Sequence, residues 1–127
     1  MPESPLIAVV DDDAAVREAV QSLLRSAGLR AEAFASAEDF WQAGPRQATA
    51  CLIVDVRMPR MSGLALQQQL TMAQCPIPII FITAHGDEET RARALRGGAL
   101  DLLDKPFSDE VLLGAVQAAL QSLRDDR

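Results

Sequence analysis

The chain has 127 residues, 49% hydrophobic and 24% charged, with a formal net charge of -6 and a pI near 4.6. That length suits one domain with a core of its own, and the composition excludes a disordered chain. The acidic balance argues against a direct grip on nucleic acid, and no apolar run approaches the ~18 residues of a membrane span.

The stretch Met1-Pro2-Glu3-Ser4-Pro5 lacks the basic and apolar regions of a secretory signal, so a cytoplasmic location is expected. Leu6-Ile7-Ala8-Val9-Val10 then reads as a buried strand running straight into Asp11-Asp12-Asp13. Asp13 is placed to cap a helix whose apolar positions Val16, Val20, Leu23, Leu24 and Ala27 keep helical spacing until Gly28 stops it. Arg30-Ala31-Glu32-Ala33-Phe34 alternates polar and apolar side chains, as a strand near a sheet edge would. Ser36 with Asp39 opens a short second helix through Phe40 and Trp41, ended by Gly44-Pro45, and both aromatics read as packing groups.

Cys51-Leu52-Ile53-Val54 is a continuous apolar run of the kind expected for a strand covered on both faces, and Asp55 stands at its carboxyl end. Ser62 caps a third helix running to about Ala73, with Leu64, Leu66 and Leu70 on its buried stripe. Met58 and Met61 flank Arg60 in what reads as an exposed loop. Pro78-Ile79-Ile80-Phe81-Ile82-Thr83 is the fourth strand and ends in a hydroxyl. Gly86-Asp87 introduces a fourth helix with Ala92, Ala94 and Leu95 as its apolar surface, closed by Gly97-Gly98. Its residues Arg91, Arg93 and Arg96 read as a solvated face. Leu100-Asp101-Leu102-Leu103 is the fifth strand. After it, Ser108 caps a last helix with Val111, Leu112, Ala115, Val116, Ala119, Leu120 and Leu123 as its core stripe. Cys51 and Cys75 have neither zinc-type spacing nor partner histidines, so two reduced, inert thiols are expected.

Five strands alternating with five helices predict an α/β fold: a doubly wound parallel sheet, flavodoxin-like, in the common order 2-1-3-4-5. That order gathers Asp11, Asp12 and Asp55 at the topological switch point, with Thr83 and Lys105 on the same edge. Clustered acids repel one another and call for a cation, and hard carboxylate oxygens suit Mg²⁺. Lys105 is the only lysine, the other 11 basic residues being arginine, so a compact ammonium placed here is informative.

The motifs VVDDD, LIVDVRMPRMSG, FITAHGD and LDLLDKPF resemble those of receiver domains of bacterial two-component response regulators, most closely the FixJ/NarL type. The resemblance runs from about Leu6 to Leu123. It implies that residues 1–127 form a single receiver domain and that Asp55 accepts a phosphoryl group from the phosphohistidine of a sensor histidine kinase. Asp12 and Asp55 would ligate Mg²⁺ directly, Asp11 through water, and the backbone carbonyl of Arg57 would add a fourth protein contact. Thr83 would bond the phosphoryl group on arrival, and Lys105-Pro106 would be the family's cis peptide, aiming the ammonium inward. Met58, Ala84 and His85 would line the site mouth, His85 setting how fast water hydrolyses the aspartyl phosphate.

On this reading the protein is a phosphoacceptor with autophosphotransfer and autophosphatase activity rather than a turnover enzyme. Movement of Thr83 would rearrange the surface of helix four, strand five and helix five, controlling homodimerisation or a DNA-binding output. That output domain lies outside this chain, and the linker-like ending Arg124-Asp125-Asp126-Arg127 is read as the mark of an excised N-terminal half of a transcriptional regulator. At the switch position Leu102 the family usually has an aromatic ring, so the ring-flip relay is not carried over. Three alternative readings differ in what they require of the sequence. A haloacid-dehalogenase-like phosphatase needs an acid two residues after its nucleophile, where Arg57 stands. A flavodoxin needs a hydroxyl-rich phosphate loop where this chain has Asp11 to Asp13, and Leu102 keeps open a partner-binding module that is never phosphorylated.

Overall fold

A computed structural model describes residues 5–43 and 49–125, with side-chain surroundings through residue 122. The strands are β1 (Leu6–Val10), β2 (Arg30–Phe34), β3 (Thr49–Asp55), β4 (Ile79–Thr83) and β5 (Asp101–Asp104). The helices are α1 (Ala14–Ser26), α2 (Ala37–Ala43), α3 (Gly63–Met72), α4 (Glu88–Arg96) and α5 (Asp109–Asp125). All strand pairs are parallel, in the order β2-β1-β3-β4-β5. The expected doubly wound fold is therefore the one observed.

Strand periodicity separates two cores. Ile7, Val9, Cys51, Ile53, Ile80, Ile82 and Leu103 face one way and pack on α1 and α5 through Val20, Leu24, Leu112, Val116 and Ala119. Ala8, Val10, Leu52, Val54, Phe81 and Leu102 face the other way, against α2, α3 and α4 through Phe40, Leu66, Leu70 and Ala94. The three central strands β1, β3 and β4 are covered on both faces, which is why each carries an unbroken apolar run, whereas the edge strands β2 and β5 keep exposed polar residues.

Register does the rest. β1 starts against β3 with a one-residue irregularity between Leu6 and Ile7, then runs in step, so Val10 lies opposite Val54. Asp11 and Asp55 therefore leave the sheet side by side. Asp55 is level with Ile82 on β4, and Thr83 with Asp104 on β5.

Local chemistry explains most boundaries. Asp13 accepts the Ala15 N–H at 2.9 Å to cap α1, Ser62 accepts the Ala65 N–H at 3.1 Å to cap α3, and Ser108 accepts the Val111 N–H at 3.1 Å before α5. Gly28, past the end of α1, has φ +82°, the left-handed conformation that only glycine adopts without strain. Phe40 packs edge-on to Phe34 at 5.5 Å.

Several expectations need correction. Leu95 and Val111 are 47% and 51% exposed, because Ala94 and Leu112, one residue or 100° away, take the inward positions. Leu100 is exposed and outside β5, which is shifted to Asp101–Asp104. β3 is longer than its apolar run, reaching back to Thr49. Met58 and Met61 are half-buried against the core that carries Leu66, Leu70 and Ala94, although Arg57, Pro59 and Arg60 in the same loop are exposed. Gly44-Pro45 and the side chain of Leu123 lie outside the described residues.

Burial also distinguishes the thiols. Cys51 is fully buried, which pushes its thiol up to about 12, whereas Cys75 is half-buried. With thiolate as the reactive form, the native protein at pH 8 is expected to give one fast thiol equivalent with an aromatic disulfide and the second only after unfolding. Two equivalents released at one rate would contradict the burial of Cys51.

Candidate functional site

The three consecutive acids after β1 are separated by backbone geometry into three tasks. Asp11 is fully buried, Asp12 is exposed at the rim, and Asp13 is spent on the α1 cap. The Asp11 Oδ1 accepts the Asp13 N–H at 2.8 Å, and its backbone carbonyl accepts the Arg17 guanidinium at 2.8 Å. Arg17, which the sequence reading did not single out, thereby ties α1 to the site. Its position four residues after the cap was the available signal, since the Arg17 N–H bonds the Asp13 carbonyl in the first turn.

Asp55 is almost buried, at 7% exposure, and its Oδ1 accepts the Arg57 N–H at 3.0 Å. Lys105 enters from the β5–α5 connection, where the Lys105–Pro106 peptide is cis. Its Nζ donates to Asp11 Oδ2 and to Asp55 Oδ2, both at 3.0 Å. One ammonium is thus shared by two carboxylates. Carboxylate oxygens of Asp11, Asp12 and Asp55 all lie within 4.8 Å of one another.

Electrostatics follow from this arrangement. Burial pushes the Asp11 carboxyl above its usual value, with the Asp13 N–H and Lys105 opposing that rise and the Asp55 charge adding to it. Burial acts to lower Lys105, but its hydrogen bonds to Asp11 and Asp55 outweigh this and hold the ammonium above the ordinary lysine value. Lys105 is therefore charged throughout the physiological range.

Thr83 is buried at 1% exposure, one strand over from Asp55, and its Oγ1 accepts the His85 N–H at 3.2 Å. Its carbonyl accepts the Lys105 N–H at 2.7 Å. Ala84 and His85 are exposed on the connection that follows β4. Met58 lines a neighbouring cleft of about 530 Å³ with Val56, Arg57, Ser62, Thr90 and Arg93. Leu102 is not at the cluster. It is buried opposite Phe81 in the core that α4 covers.

The Arg91, Arg93, Arg96 group is not uniformly solvated. Arg93 and Arg96 are exposed, but the Arg91 Nη1 donates to the Leu102 carbonyl at 3.2 Å and its Nη2 to Asp104 Oδ2 at 3.4 Å. Gln67, inside the stripe predicted to be apolar, is also buried and donates to the Ala94 carbonyl at 3.1 Å.

A doubly wound sheet with an acid cluster and a lysine at its carboxyl edge defines the class of the domain. The response regulator receiver domain family matches residues 7–117, and the chain belongs to that family. It is 52% identical over 116 residues to the response regulator protein TodT of Pseudomonas putida, covering 91% of this chain and 51% of that protein. It is 42% identical over 120 residues to the transcriptional regulatory protein FixJ of Azorhizobium caulinodans, covering 94% of this chain and 57% of that protein. The chain thus spans about half the length of the curated relatives it matches. Among solved structures, the response regulator StyR superposes with a TM-score of 0.91 at 46% identity, covering 98% of this chain and 63% of that one. The FixJ-N crystal structure superposes with a TM-score of 0.85 at 34% identity, covering 94% and 96% respectively.

Proposed function

We propose that this chain is the phosphoacceptor of a two-component pathway, taking a phosphoryl group from a sensor histidine kinase onto Asp55. The observation that carries the reading is the Lys105 ammonium held 3.0 Å from both Asp11 and Asp55, with the Asp12 carboxylate in the same cluster. An Asp55 oxygen attacks phosphorus, the P–N bond of the phosphohistidine breaks, and its electron pair leaves with the imidazole nitrogen. Lys105 keeps its proton and neutralises charge on the transferring group. Thr83 accepts a hydrogen bond from His85, so its own hydroxyl proton is left to donate to a phosphoryl oxygen.

The donor set suits a hard dication: three carboxylates meet within 4.8 Å and only one lysine stands against their charge. Asp11, Asp12, Asp55 and the backbone carbonyl of Arg57 would hold Mg²⁺. When bound it supplies charge neutralisation and alignment of the phosphoryl oxygens. His85, at the mouth, governs access of water and so the lifetime of the acyl phosphate. The relative named transcriptional regulatory protein FixJ supports a transcriptional output through a further domain; on this reading phosphorylation would control a homodimer through the α4, β5 and α5 surface. The site of action would be the cytoplasm, consistent with the absence of a helix long and apolar enough to cross a membrane among the described residues.

Intact-protein mass spectrometry after incubation with acetyl phosphate tests this. A single adduct of about 80 Da that needs Mg²⁺ and disappears in Asp55→Asn is the expected result. An adduct that persists in Asp55→Asn would move the acceptor elsewhere, and none under any condition would leave a phosphorylation-independent interaction module.

A further inference from the structure

α4 buries fewer residues than any other helix among the described residues. Ala94 is the one buried residue among its nine, so little apolar area anchors it. Two side-chain ties about one turn apart, at Ala94 and Arg91, compensate, and they differ in kind. At the carboxyl end the tie is dry: buried Gln67 donates to the Ala94 carbonyl at 3.1 Å, and a Cβ on Gly97 would come 2.6 Å from the Gln67 Oε1. Nothing larger than glycine fits there without displacing that amide.

The other tie is wet and charged. Arg91 reaches from α4 to the open edge of β5, bonding the Leu102 carbonyl at 3.2 Å and Asp104 at 3.4 Å. Both side chains are partly solvated, at 35% and 56% exposure, so the contact is weak enough to open.

Asp104 occupies a strategic position. It immediately precedes Lys105 in the chain and lies level with Thr83 in the sheet register. It also lies against the β4–α4 connection, since a Cβ on Gly86 would meet its Oδ1 at 2.2 Å and the Leu102 Cδ2 at 3.1 Å. That connection is the one tethered to Thr83 through the His85 N–H. Asp104 therefore sits between the segment expected to move with Thr83 and the arginine that holds α4.

We infer that Arg91 is a releasable latch: it clasps α4 to β5 in the unphosphorylated protein and opens when the Thr83–Gly86 segment shifts Asp104, leaving α4 to swing about the Gln67–Gly97 contact. This rests on the phosphoacceptor reading above and supplies a coupling route in a chain whose position 102 is leucine. A latch that favours the resting arrangement lowers the population competent for phosphorylation, so removing it raises the labelling rate.

The test uses Arg91→Gln, Asp104→Asn and the double variant of the 127-residue chain. Labelling by acetyl phosphate is followed by mass spectrometry, and amide hydrogen exchange is followed over residues 86–96 in unlabelled protein. Arg91→Gln is expected to label roughly three- to ten-fold faster, the size of a partly solvated charged contact, with the double variant no faster than Arg91→Gln. Exchange over residues 86–96 should quicken while β3 stays protected. Labelling in Arg91→Gln at or below the wild-type rate, or additive effects of the two substitutions, overturns the latch. If no form of the chain is labelled, the phosphoacceptor reading fails, and exchange alone decides the latch: unchanged protection over 86–96 in Arg91→Gln removes it. Loss of protection in β3 as well would mark general unfolding, and Arg91→Lys, which keeps the charge but not the fork, then replaces it in both assays with the same criteria.

Discussion

Lys105→Met is expected to lower the stability of the metal-free protein by about 2–3 kcal/mol at neutral pH, a fall in Tm of roughly 10 °C for a domain of this size. Removing one partner of a fully buried ion pair costs about 3–5 kcal/mol; the side chain of Lys105 is 20% exposed, which reduces the figure. The loss comes from Asp11, which has no exposed surface, and from its repulsion by Asp55. The sign of the pH dependence is fixed by the same group. Burial already raises the Asp11 carboxyl above 3.8, and without the ammonium it rises further. A carboxyl raised in the folded state binds its proton more tightly there than in the unfolded chain. Stability therefore falls as pH rises from 3.8 through the folded value, and the deficit of Lys105→Met shrinks as pH is lowered through that window. Thermal melts in chelator at pH 5 and pH 7.5 read this out, and equal Tm values for variant and wild type at pH 7.5 would refute it. Labelling by acetyl phosphate should drop by about 100-fold or more, as when one preorganised charge is removed from a reacting centre.

Gly63→Ala should be the most damaging small substitution. A Cβ at Gly63 would meet the Asp55 carbonyl oxygen at 2.3 Å and both the Asp55 carbonyl carbon and the Phe81 ring at 3.1 Å. Two of those atoms belong to the backbone of β3, and the Gly63 N–H is bonded to the Val56 carbonyl at 2.9 Å, so α3 cannot simply retreat. About 3 kcal/mol of destabilisation is expected, with Asp55 displaced and labelling slowed together. Gly114→Ala is the control. It lies within α5 with nothing within 4 Å of its added Cβ, and should stabilise by about 0.5–1 kcal/mol through helix propensity. Equal effects at the two positions in chemical denaturation would refute the steric account.

Much of this architecture was legible in the chain because doubly covered strands leave continuous apolar runs, and because caps such as Asp13, Ser62 and Ser108 stand where helices begin. Lys105 was legible for a compositional reason, as a single lysine among arginines. What remained hidden depends on long-range partners. Gln67 meets a carbonyl 27 residues away, and Arg91 meets groups 11 and 13 residues away, so neither spacing nor propensity announces them. The division of Asp11, Asp12 and Asp13 into buried, exposed and capping residues arises at a strand-to-helix turn, where one residue of progression changes direction entirely. β5 begins one residue later than the apolar run suggests, because Leu100 extends that run, whereas Asp101 inside the strand satisfies its polarity locally by accepting the Leu102 N–H at 2.8 Å.

The two cores give the molecule two different kinds of outer surface. Leu102 and α4, with its releasable arginine, belong to one core; α1 and α5 are seated on the other through Ile7, Val9, Val20, Leu24 and Leu112. On the proposed latch, a partner that touches only α1 would meet a face that the release of Arg91 does not itself move. A partner reading α4 would meet two shapes and would shift the balance between them by whatever preference it has. On that proposal the sheet acts as a partition, with the α1 face recognised constantly while α4 and the neighbouring β5 edge report the state.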